Sequence, residues 1–242
     1  MKIALIGYGK MGHIIEQIAI SKGHEIILKI DSASKELLNE TNIRQADVAI
    51  EFTKPEAAME NVMLCIKAGV PVVSGTTGWN EGVTTVKKIA EDHKSAFLHA
   101  SNFSIGVNIF FELNKQLAKM MDDQEDYDLI LEEIHHTEKK DAPSGTAITL
   151  AEQIIERLRR KSRWSKEAKN EEDSFPIISH RTENVPGTHS VKYSSPIDDI
   201  EIIHTAHNRE GFAKGAVLAA EYICGKSGVF TMQDVLGIST TS

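Results

Sequence analysis

The chain has 242 residues, 41% of them hydrophobic, and a formal net charge of −8. This length and apolar content can bury one large core or two smaller ones, which excludes an intrinsically disordered protein. The acidic balance argues against a general surface for nucleic acid or anionic membranes.

The N-terminal residues lead directly into an apolar strand pattern, without the charged leader and apolar run of a secretory signal. No apolar stretch approaches the about 18 to 20 residues that a bilayer span needs. We therefore expect a cytoplasmic protein that does not enter a membrane. The two cysteines, Cys65 and Cys224, are too few for a disulfide framework and are expected to be reduced.

Short apolar runs alternate with helical patterns through the first hundred residues, as in a parallel sheet covered by helices on both faces. The predicted strands are Lys2–Ile6, Glu25–Ile30, Asp47–Phe52, Val70–Ser74 and Ala96–His99. The predicted helices between them are Met11–Lys22, Pro55–Ala68 and Glu81–His93. This order predicts an α/β protein that begins with a Rossmann-type domain.

The pattern changes after residue 102, which indicates a second, α+β domain. The predicted elements are a helix over Val107–Met121, a strand over Tyr127–His135, a helix over Thr146–Lys161, and strands over Ser190–Ser194 and Ile200–Ala206. The polar segment 162–184 is predicted to be a surface loop or a mobile segment. Two helices, Ala213–Cys224 and Met232–Leu236, are predicted near the end of the chain.

A GxGxxG motif, Gly7-Tyr8-Gly9-Lys10-Met11-Gly12, lies directly between a predicted strand and a predicted helix. In this context the first glycine permits a tight turn, the second lets the backbone approach a pyrophosphate, and the third allows close packing of helix on strand. The N-terminus of the helix then attracts the phosphates. The motif therefore predicts a dinucleotide site.

Asp31 ends the second predicted strand, at the spacing where an acidic side chain accepts a hydrogen bond from the ribose 2′-hydroxyl. A carboxylate there repels a 2′-phosphate, which favours NADH. Lys35 and Arg44 could still reach a phosphate, so NADPH remains possible.

A second glycine-containing turn follows the fourth strand, with Gly75, Thr76 and Thr77 at its centre. Ligands of open α/β sheets bind at this carboxyl edge. The amides and hydroxyls of the turn are therefore predicted to line the nicotinamide, although an ordinary polar loop would read the same way.

The segment 132–147, EEIHHTEKKDAPSGTA, carries the chemistry expected of the second domain. If the strand runs to His135, then His135 and His136 point to opposite faces and do not share a metal ion. The spacing is not HExxH, and no metal site is predicted. One of the two histidines could act as a general acid near neutral pH.

Lys139 adds a compact positive charge a few residues further on, and Pro143-Ser144-Gly145-Thr146 leads into a helix. The start of that helix can hold an anion, and glycine lets a ligand lie against the backbone. Together these residues predict a pocket for carboxylate groups. A capped helix start beside a solvated charge run is the alternative.

Over essentially its whole length the sequence resembles the bacterial dihydrodipicolinate reductases, also called 4-hydroxy-tetrahydrodipicolinate reductases. The resemblance rests on GYGKMG, the SGTTG turn, the segment NFSIGVN at 102–108, the block HHxxKxDAPSGTA, and Arg209, Phe212 and Lys214-Gly215-Ala216. The HHxxKxDAPSGTA block is the most specific of these motifs.

The resemblance implies reduction of a cyclic unsaturated imine dicarboxylate with NADH or NADPH, in diaminopimelate and lysine biosynthesis. It implies that His135 is the proton donor, that Lys139 assists catalysis, and that His136, Gly145 and Thr146 hold the carboxylates. Cofactor contacts are implied at Ser101, Asn102, Phe103, Arg209 and Phe212. The implied architecture is a homotetramer whose subunits have a Rossmann domain, 1–102 with 209–242, and a substrate domain with an open mixed sheet, 103–208.

Three alternatives remain for comparison. Another Rossmann oxidoreductase would share the first domain, but a semialdehyde dehydrogenase needs a nucleophilic cysteine, and Cys65 lies in a predicted core helix. A nucleotide-sensing protein without activity would have no need of His135 and Lys139 together. The basic residues between 157 and 163 could suggest nucleic-acid binding, but a solvated helix face explains them better.

Overall fold

The computed structural model describes residues 1–167 and 171–238. Two compact units divide the chain: Met1–Ile105 with the chain from Glu210 onward, and Gly106–Arg209. The first unit ends at residue 105 rather than 102 and resumes at 210 rather than 209. The chain leaves the first unit later than predicted because the side chain of Phe103 is buried in the core of that unit.

The elements of the first unit up to the crossing are β1 (Lys2–Ile6), α1 (Lys10–Ser21), β2 (Glu25–Ile30), α2 (Glu40–Ile43), β3 (Val48–Glu51), α3 (Pro55–Lys67), β4 (Val72–Ser74), α4 (Asn80–Asp92) and β5 (Ala96–His99), with a 3₁₀ turn at Lys35–Leu37. The second unit contains α5 (Ile105–Met120), β6 (Asp128–His135), α6 (Gly145–Ile155), β7 (Arg163–Ser165), β8 (Ser174–Arg181), β9 (Gly187–Ser194) and β10 (Asp199–Ala206). The chain then returns with α7 (Glu210–Ile223), β11 (Gly228–Phe230) and α8 (Met232–Leu236). Within residues 1–167 and 171–238, no helix has the length and apolar character to cross a membrane.

A six-stranded parallel sheet forms the centre of the first unit, in the order β11-β5-β4-β3-β1-β2. All of β3 is buried, as expected for a central strand covered on both faces. Neighbouring residues of β1 point to opposite faces. Ile3 and Leu5 therefore join one core with α1 and α7, whereas Ala4 and Ile6 join another with α3 and α4.

The second unit contains a five-stranded mixed sheet in the order β10-β9-β6-β8-β7. β6 pairs with β8 in parallel and with β9 in antiparallel orientation. Side chains along β6 alternate between buried and partly exposed, and the buried Leu129 and Leu131 pack with Phe110 of α5 and Leu150 of α6. The predicted fold class, a Rossmann-type sheet followed by an α+β unit with a mixed sheet, is confirmed.

The prediction of a surface loop over 162–184 is wrong for much of its length. It contains β7 and β8, and β8 lies inside the sheet between β6 and β7. The first four residues of β8, Ser174–Ile177, are buried. Charged residues on both sides of this short apolar run hid it from the sequence pattern. Residues 168–170 of the predicted loop lie outside the described part of the chain.

The helix predicted to reach Lys161 ends earlier, at Ile155. Lys161 is 5% exposed, and its ammonium group donates to the carbonyl oxygens of Glu171 and Ser174 at 2.7 and 2.8 Å. A buried ammonium must be hydrogen-bonded. These bonds therefore favour a turn after α6 over a further helical turn.

The basic residues that follow α6 have acidic partners close by. Arg159 forms ion pairs with Asp122 and Asp123 at 2.5 and 2.8 Å. Arg163 pairs with Asp173 at 3.1 Å. Local neutralisation of this kind favours the solvated-surface interpretation over a nucleic-acid-binding face.

Gly215 lets α7 pack directly against the chain at Phe103. A Cβ atom at 215 would lie 1.7 Å from the carbonyl oxygen of Phe103, and a backbone atom cannot move aside cheaply. We expect Gly215→Ala to lower the free energy of unfolding by about 1 to 3 kcal/mol, because of overpacking. Urea denaturation followed by circular dichroism measures this loss.

Gly211→Ala is the matched control on the same helix. Its Cβ would have an ordinary contact, 3.5 Å from the Ser104 hydroxyl, and alanine is the better helix former. Its unfolding midpoint should be equal to or above that of the unmodified protein. Equal midpoints for the two variants would contradict the packing argument.

Candidate active site

The glycine turn after β1 is closely packed. Gly7 has φ = +97°, and a Cβ atom there would lie 1.9 Å from the carbonyl oxygen of Phe52, so only glycine fits. The amides of Gly7 and Tyr8 both donate to the carbonyl oxygen of Ile30 at 2.8 Å. A Cβ at Gly12 would lie 2.7 Å from the carbonyl oxygen of Gly7, so α1 begins directly against the turn. The first amides of a helix have no partner within the helix, so the start of α1 can hold an anion.

A cavity of about 380 Å³ lies beside this turn. Gly9 is the N-cap residue of α1 and has open space where a Cβ would be. Gly75 lies so close to the ring of Phe52 that a Cβ would be 2.2 Å from it. The lining residues are Gly7, Gly9, Lys10, Met11, Phe52, Thr53, Pro55, Gly75, Thr76 and Thr77. The cavity thus brings together the two turns that were predicted to bind a dinucleotide, and its backbone cradle fits such a cofactor.

The side chain of Tyr8 is held by a small charged cluster. Its hydroxyl donates to Glu16, which also pairs with Lys29 at 2.6 Å, and the Lys29 ammonium lies 5.1 Å from the Tyr8 ring centroid. The hydrogen bond to Glu16 raises the pKa of Tyr8, and the bond from Lys29 lowers the pKa of Glu16. Tyr8 therefore stays a neutral phenol beside an ionised carboxylate.

Asp31 follows the last residue of β2 and organises the next turn. One oxygen of its carboxylate accepts from the Ala33 amide and the Ser34 hydroxyl, at 2.8 and 2.9 Å. These bonds, that of Ser34 first, lower the pKa of Asp31. Asp31 is thus an exposed anion whose orientation the turn determines. Of the two basic residues considered for a 2′-phosphate, Arg44 pairs with Glu40 at 3.2 Å and Lys35 lies exposed in the 3₁₀ turn.

Glu51, which the sequence analysis did not single out, joins the loops after β3 and β4. Its fully buried carboxylate accepts hydrogen bonds from the Ser74 and Thr76 hydroxyls, at 2.6 and 2.7 Å, and from the Thr53 amide at 3.0 Å. The Thr53 amide also donates to the Thr76 hydroxyl at 2.8 Å. Because Thr53 and Thr76 line the cavity, Glu51 determines the shape of its wall.

The other residues implied as cofactor contacts lie in different surroundings. Ser101 is exposed, and the side chain of Asn102 accepts from the Ser104 amide at 2.9 Å. Phe103 is 2% exposed and belongs to the core. Phe212 lies half-buried on α7, whereas Arg209 is the last residue of the second unit. Their roles toward a cofactor stay predictions.

In the second unit, the end of β6 carries a buried carboxylate and imidazole pair. Glu133 has no exposed surface, and one of its oxygens is hydrogen-bonded to Nδ1 of His135. Its other oxygen accepts from Arg181 of β8 at 3.0 Å. Burial raises the pKa of Glu133, but hydrogen bonds from His135, Ser179 and Arg181 outweigh it and lower that pKa to about 2. The carboxylate is therefore ionised throughout the physiological range.

His189 of β9 forms another wall of this site. Its ring lies edge-on to that of His135, with centroids 5.0 Å apart. Burial first, and the nearby His135 second, lower the pKa of His189 to about 3. Its Nε2 lies 3.0 Å from the Ser144 hydroxyl, whose oxygen accepts from the Ala147 amide. We assign the hydroxyl proton to His189, which makes it a neutral ring protonated at Nδ1.

Glu133, His135 and His189 each offer a ligand atom, and these atoms lie within 4.8 Å of one another. A transition metal could use such a set. In this structure Arg181 and His135 are hydrogen-bonded to the Glu133 carboxylate, and the Ser144 hydroxyl is hydrogen-bonded to His189. The arrangement is a hydrogen-bonded network with a cation already in place, and the prediction of no metal site stays a prediction.

Arg181 also holds the loop between β6 and α6. Its guanidinium donates to the carbonyl oxygens of Lys139 and Asp141 at 3.3 and 2.6 Å, while the Lys139 ammonium donates to both carboxylate oxygens of Asp141 at 2.8 Å. One guanidinium therefore connects Glu133, the partner of His135, to the backbone that carries Lys139. His136, directly after β6, is partly exposed.

The loop leads into α6, which begins at Gly145 with Ser144 as its N-cap. The Ser144 hydroxyl accepts from the Ala147 amide at 3.2 Å, a bond that stabilises a helix start. Gly145 is exposed, with open space around its Cα, and Thr146 follows it in the first turn. A helix N-terminus attracts anions. The second unit therefore combines an acid–base pair, a lysine and a helix start around one loop.

The cysteines do not have the surroundings of nucleophiles. Cys65 is completely buried, and burial raises the pKa of its thiol. Burial also raises the pKa of Cys224. Reactive cysteines need the opposite shift. This observation disfavours the semialdehyde dehydrogenase alternative.

Comparison with known proteins identifies the family. The family model described as dihydrodipicolinate reductase, N-terminus, matches residues 1–103, and the one described as dihydrodipicolinate reductase, C-terminus, matches residues 106–236. The chain is 52% identical over 236 residues to the 4-hydroxy-tetrahydrodipicolinate reductase of Christiangramia forsetii, with 98% of each chain covered. It is 33% identical over 232 residues to the enzyme of that name from Neisseria meningitidis serogroup A, covering 93% of this chain and 84% of the relative.

A solved structure has the same fold. It is a dipicolinate-bound dihydrodipicolinate reductase from Paenisporosarcina sp. TG-14, with a TM-score of 0.80, 24% identity and 99% of both chains covered. At this identity the likeness concerns the fold alone. Together with the family models and the curated relatives, it leads to one conclusion: the chain belongs to the dihydrodipicolinate reductase family.

Proposed function

We propose that this protein reduces 4-hydroxy-tetrahydrodipicolinate to tetrahydrodipicolinate with NADH or NADPH, in diaminopimelate and lysine biosynthesis. The observation that carries the proposal is the loop between β6 and α6, where the HHxxKxDAPSGTA residues connect a buried carboxylate and histidine pair to a lysine and a helix start. The cavity in the first unit, which both glycine turns line, supports the binding of a dinucleotide there. A nucleotide sensor would need only the cavity, not the residues of the loop between β6 and α6.

A bound nicotinamide would supply the hydride. Loss of the 4-hydroxyl group of the substrate as water leaves the unsaturated imine, and addition of hydride to this imine leaves an electron pair that must take up a proton. In this proposal His135 donates that proton and Lys139 assists. His136, with Gly145 and Thr146 at the start of α6, binds the substrate carboxylates. A dianionic substrate needs such local positive charge in a protein whose net charge is −8.

We further propose that NADH is the preferred cofactor and that NADPH is also used. Asp31 is an exposed anion after β2, where the adenosine ribose of a Rossmann-bound cofactor lies. It would accept a hydrogen bond from a 2′-hydroxyl and repel a 2′-phosphate. Lys35 and Arg44 are the residues on this side of the sheet that could offset the repulsion.

The proposed activity predicts substrate-dependent oxidation of NADH and, more slowly, of NADPH. Substrate would be generated in place from pyruvate and aspartate semialdehyde by the preceding enzyme of the pathway, and the loss of nicotinamide absorbance followed for each cofactor. Asp31→Ser should lower the NADH to NADPH rate ratio by removing the repulsion. Absence of turnover with both cofactors, from folded protein that binds NADH, would refute the reductase proposal.

The proposed role of His135 predicts a large loss of rate when its imidazole is replaced by a side chain that is not a general acid. We expect His135→Gln to lower kcat by about 10²- to 10⁴-fold, the usual contribution of a general acid, with unchanged affinity for NADH. His180→Gln is the control, because His180 is an exposed histidine on the neighbouring β8. Undiminished turnover of His135→Gln would remove this role.

We also propose a homotetramer that works in the cytoplasm, where the reduced cofactors are available. β10 is an edge strand, and the apolar side chains of Ile197, Ile200 and Ile203 on or beside it are 91%, 39% and 58% exposed. Exposed edge strands with apolar side chains need cover. A second copy of the chain is the simplest cover.

Light scattering coupled to gel filtration should give a mass of four times 26.7 kDa. We expect Ile203→Lys to reduce this mass, because a charge in the interface would be buried without a partner. Ile20→Lys is the control, since Ile20 is similarly exposed, at 56%, but lies on α1 of the first unit. A monomeric unmodified protein would contradict the proposal.

A further inference from the structure

We propose that Glu133 is a positioning residue that holds the proton of His135 at Nδ1 and so makes Nε2 the atom that delivers a proton to the substrate. This inference rests on the proposed function, in which His135 is the acid. It adds to that proposal the residue that orients His135 and the ring nitrogen that delivers the proton.

The alternation of β6 places Glu133 and His135 on the same, buried face. Glu133 is completely buried, His135 is 8% exposed, and the hydrogen bond between them uses Nδ1 of the imidazole. A carboxylate only accepts hydrogen bonds, so the proton of this bond is on Nδ1. Imidazole has two nitrogens, and a partner at one of them determines the role of the other.

Gly187, the first residue of β9, lies beside Nε2, and a Cβ atom there would be 3.0 Å from Nε2 and 3.2 Å from Cδ2 of His135. Any larger residue would press on the edge of the ring that carries Nε2. Glycine at this position keeps a side chain away from that edge, while Nδ1 is hydrogen-bonded to the completely buried Glu133.

Charge acts in the same direction as geometry. Glu133 on its own strand and His189 on β9 lie against His135, and Arg181 of β8 lies behind Glu133. Glu133 is ionised and His189 is neutral, so the group in direct hydrogen-bond contact with His135 is an anion. An anion can only accept a hydrogen bond from Nδ1, which keeps the proton of the neutral ring on that atom.

Arg181 makes the arrangement more than a single pair. Its guanidinium neutralises the charge of the Glu133 carboxylate, 3.0 Å away, and also donates hydrogen bonds to the carbonyl oxygens of Lys139 and Asp141. A buried carboxylate without such compensation would take up a proton instead. Arg181 therefore keeps Glu133 charged and keeps the lysine loop in a defined place relative to it.

The first test is Glu133→Gln, which keeps the shape of the side chain and removes its charge. We expect kcat/KM to fall about 100-fold at neutral pH, in the range that a wrongly protonated acid costs. A glutamine amide can also donate a hydrogen bond to Nδ1, so in this variant the ring proton of His135 should no longer be confined to Nδ1, which the shifts of ¹⁵N-labelled histidine measure. The dissociation constant for NADH should change less than twofold, because its cavity lies in the other unit.

Glu132→Gln is the matched control. It removes the same charge from the neighbouring residue of the same strand, whose side chain lies on the opposite, partly exposed face. We expect its kcat/KM to stay within twofold of that of the unmodified enzyme and its His135 tautomer to stay unchanged. If Glu133→Gln lowers only thermal stability and leaves the tautomer of His135 in place, Glu133 is a purely structural residue and the inference fails.

A second measurement needs neither turnover nor a variant. In unmodified protein labelled with ¹⁵N-histidine, at a pH where His135 is neutral, the ring nitrogen shifts should show a proton on Nδ1 and none on Nε2. The opposite tautomer would overturn the inference even if the enzyme is active. An inactive protein with the expected tautomer would sink the proposed function and leave the Glu133–His135 arrangement standing.

Discussion

The buried carboxylate of Glu133 is the constraint around which the second unit is organised. An ionised carboxylate without contact with water must be surrounded by hydrogen-bond donors and positive charge. His135 on its own strand and Arg181 on β8 supply them, and Arg181 extends the network to the loop before α6. Three parts of the chain must therefore come together correctly before this carboxylate can be buried. The stability of the unit and the orientation of His135 are consequences of the same contacts.

The first unit uses a buried carboxylate in a related way. Glu51 lies at the carboxyl end of β3 and accepts hydrogen bonds from the last residue of β4 and from the two loops that line the cavity beside the glycine turn. Gly7 and Gly75, which also line that cavity, lie too close to their neighbours to carry a side chain. In both units hydrogen bonds to a buried carboxylate hold the neighbouring loops in place. Such preorganisation keeps the loss of entropy on binding small.

Local patterns predicted much of this architecture. The bounds of β1, β2 and β5 agree with the prediction, because each is an apolar run that begins or ends beside glycine or a polar residue. The strand β8 was missed because its apolar run is short and lies between charged segments, and its burial depends on pairing with β6. The alternation that separated His135 from His136 also places Glu133 beside His135, so that partner was readable from the sequence. Arg181 and His189 were not, since they are 46 and 54 residues away from His135 along the chain.

The sequence by itself determined the class of fold, the glycine turn after β1 and the block of residues around His135, because these features depend on contacts between residues close together in the chain. The tertiary structure decided which atoms those residues use. Pairing of β6 with β8 and β9 delivers a guanidinium to Glu133 and a neutral ring and a glycine to His135. Strand register over long separations fixes these contacts, and register follows from the packing of a whole sheet face rather than from any local pattern.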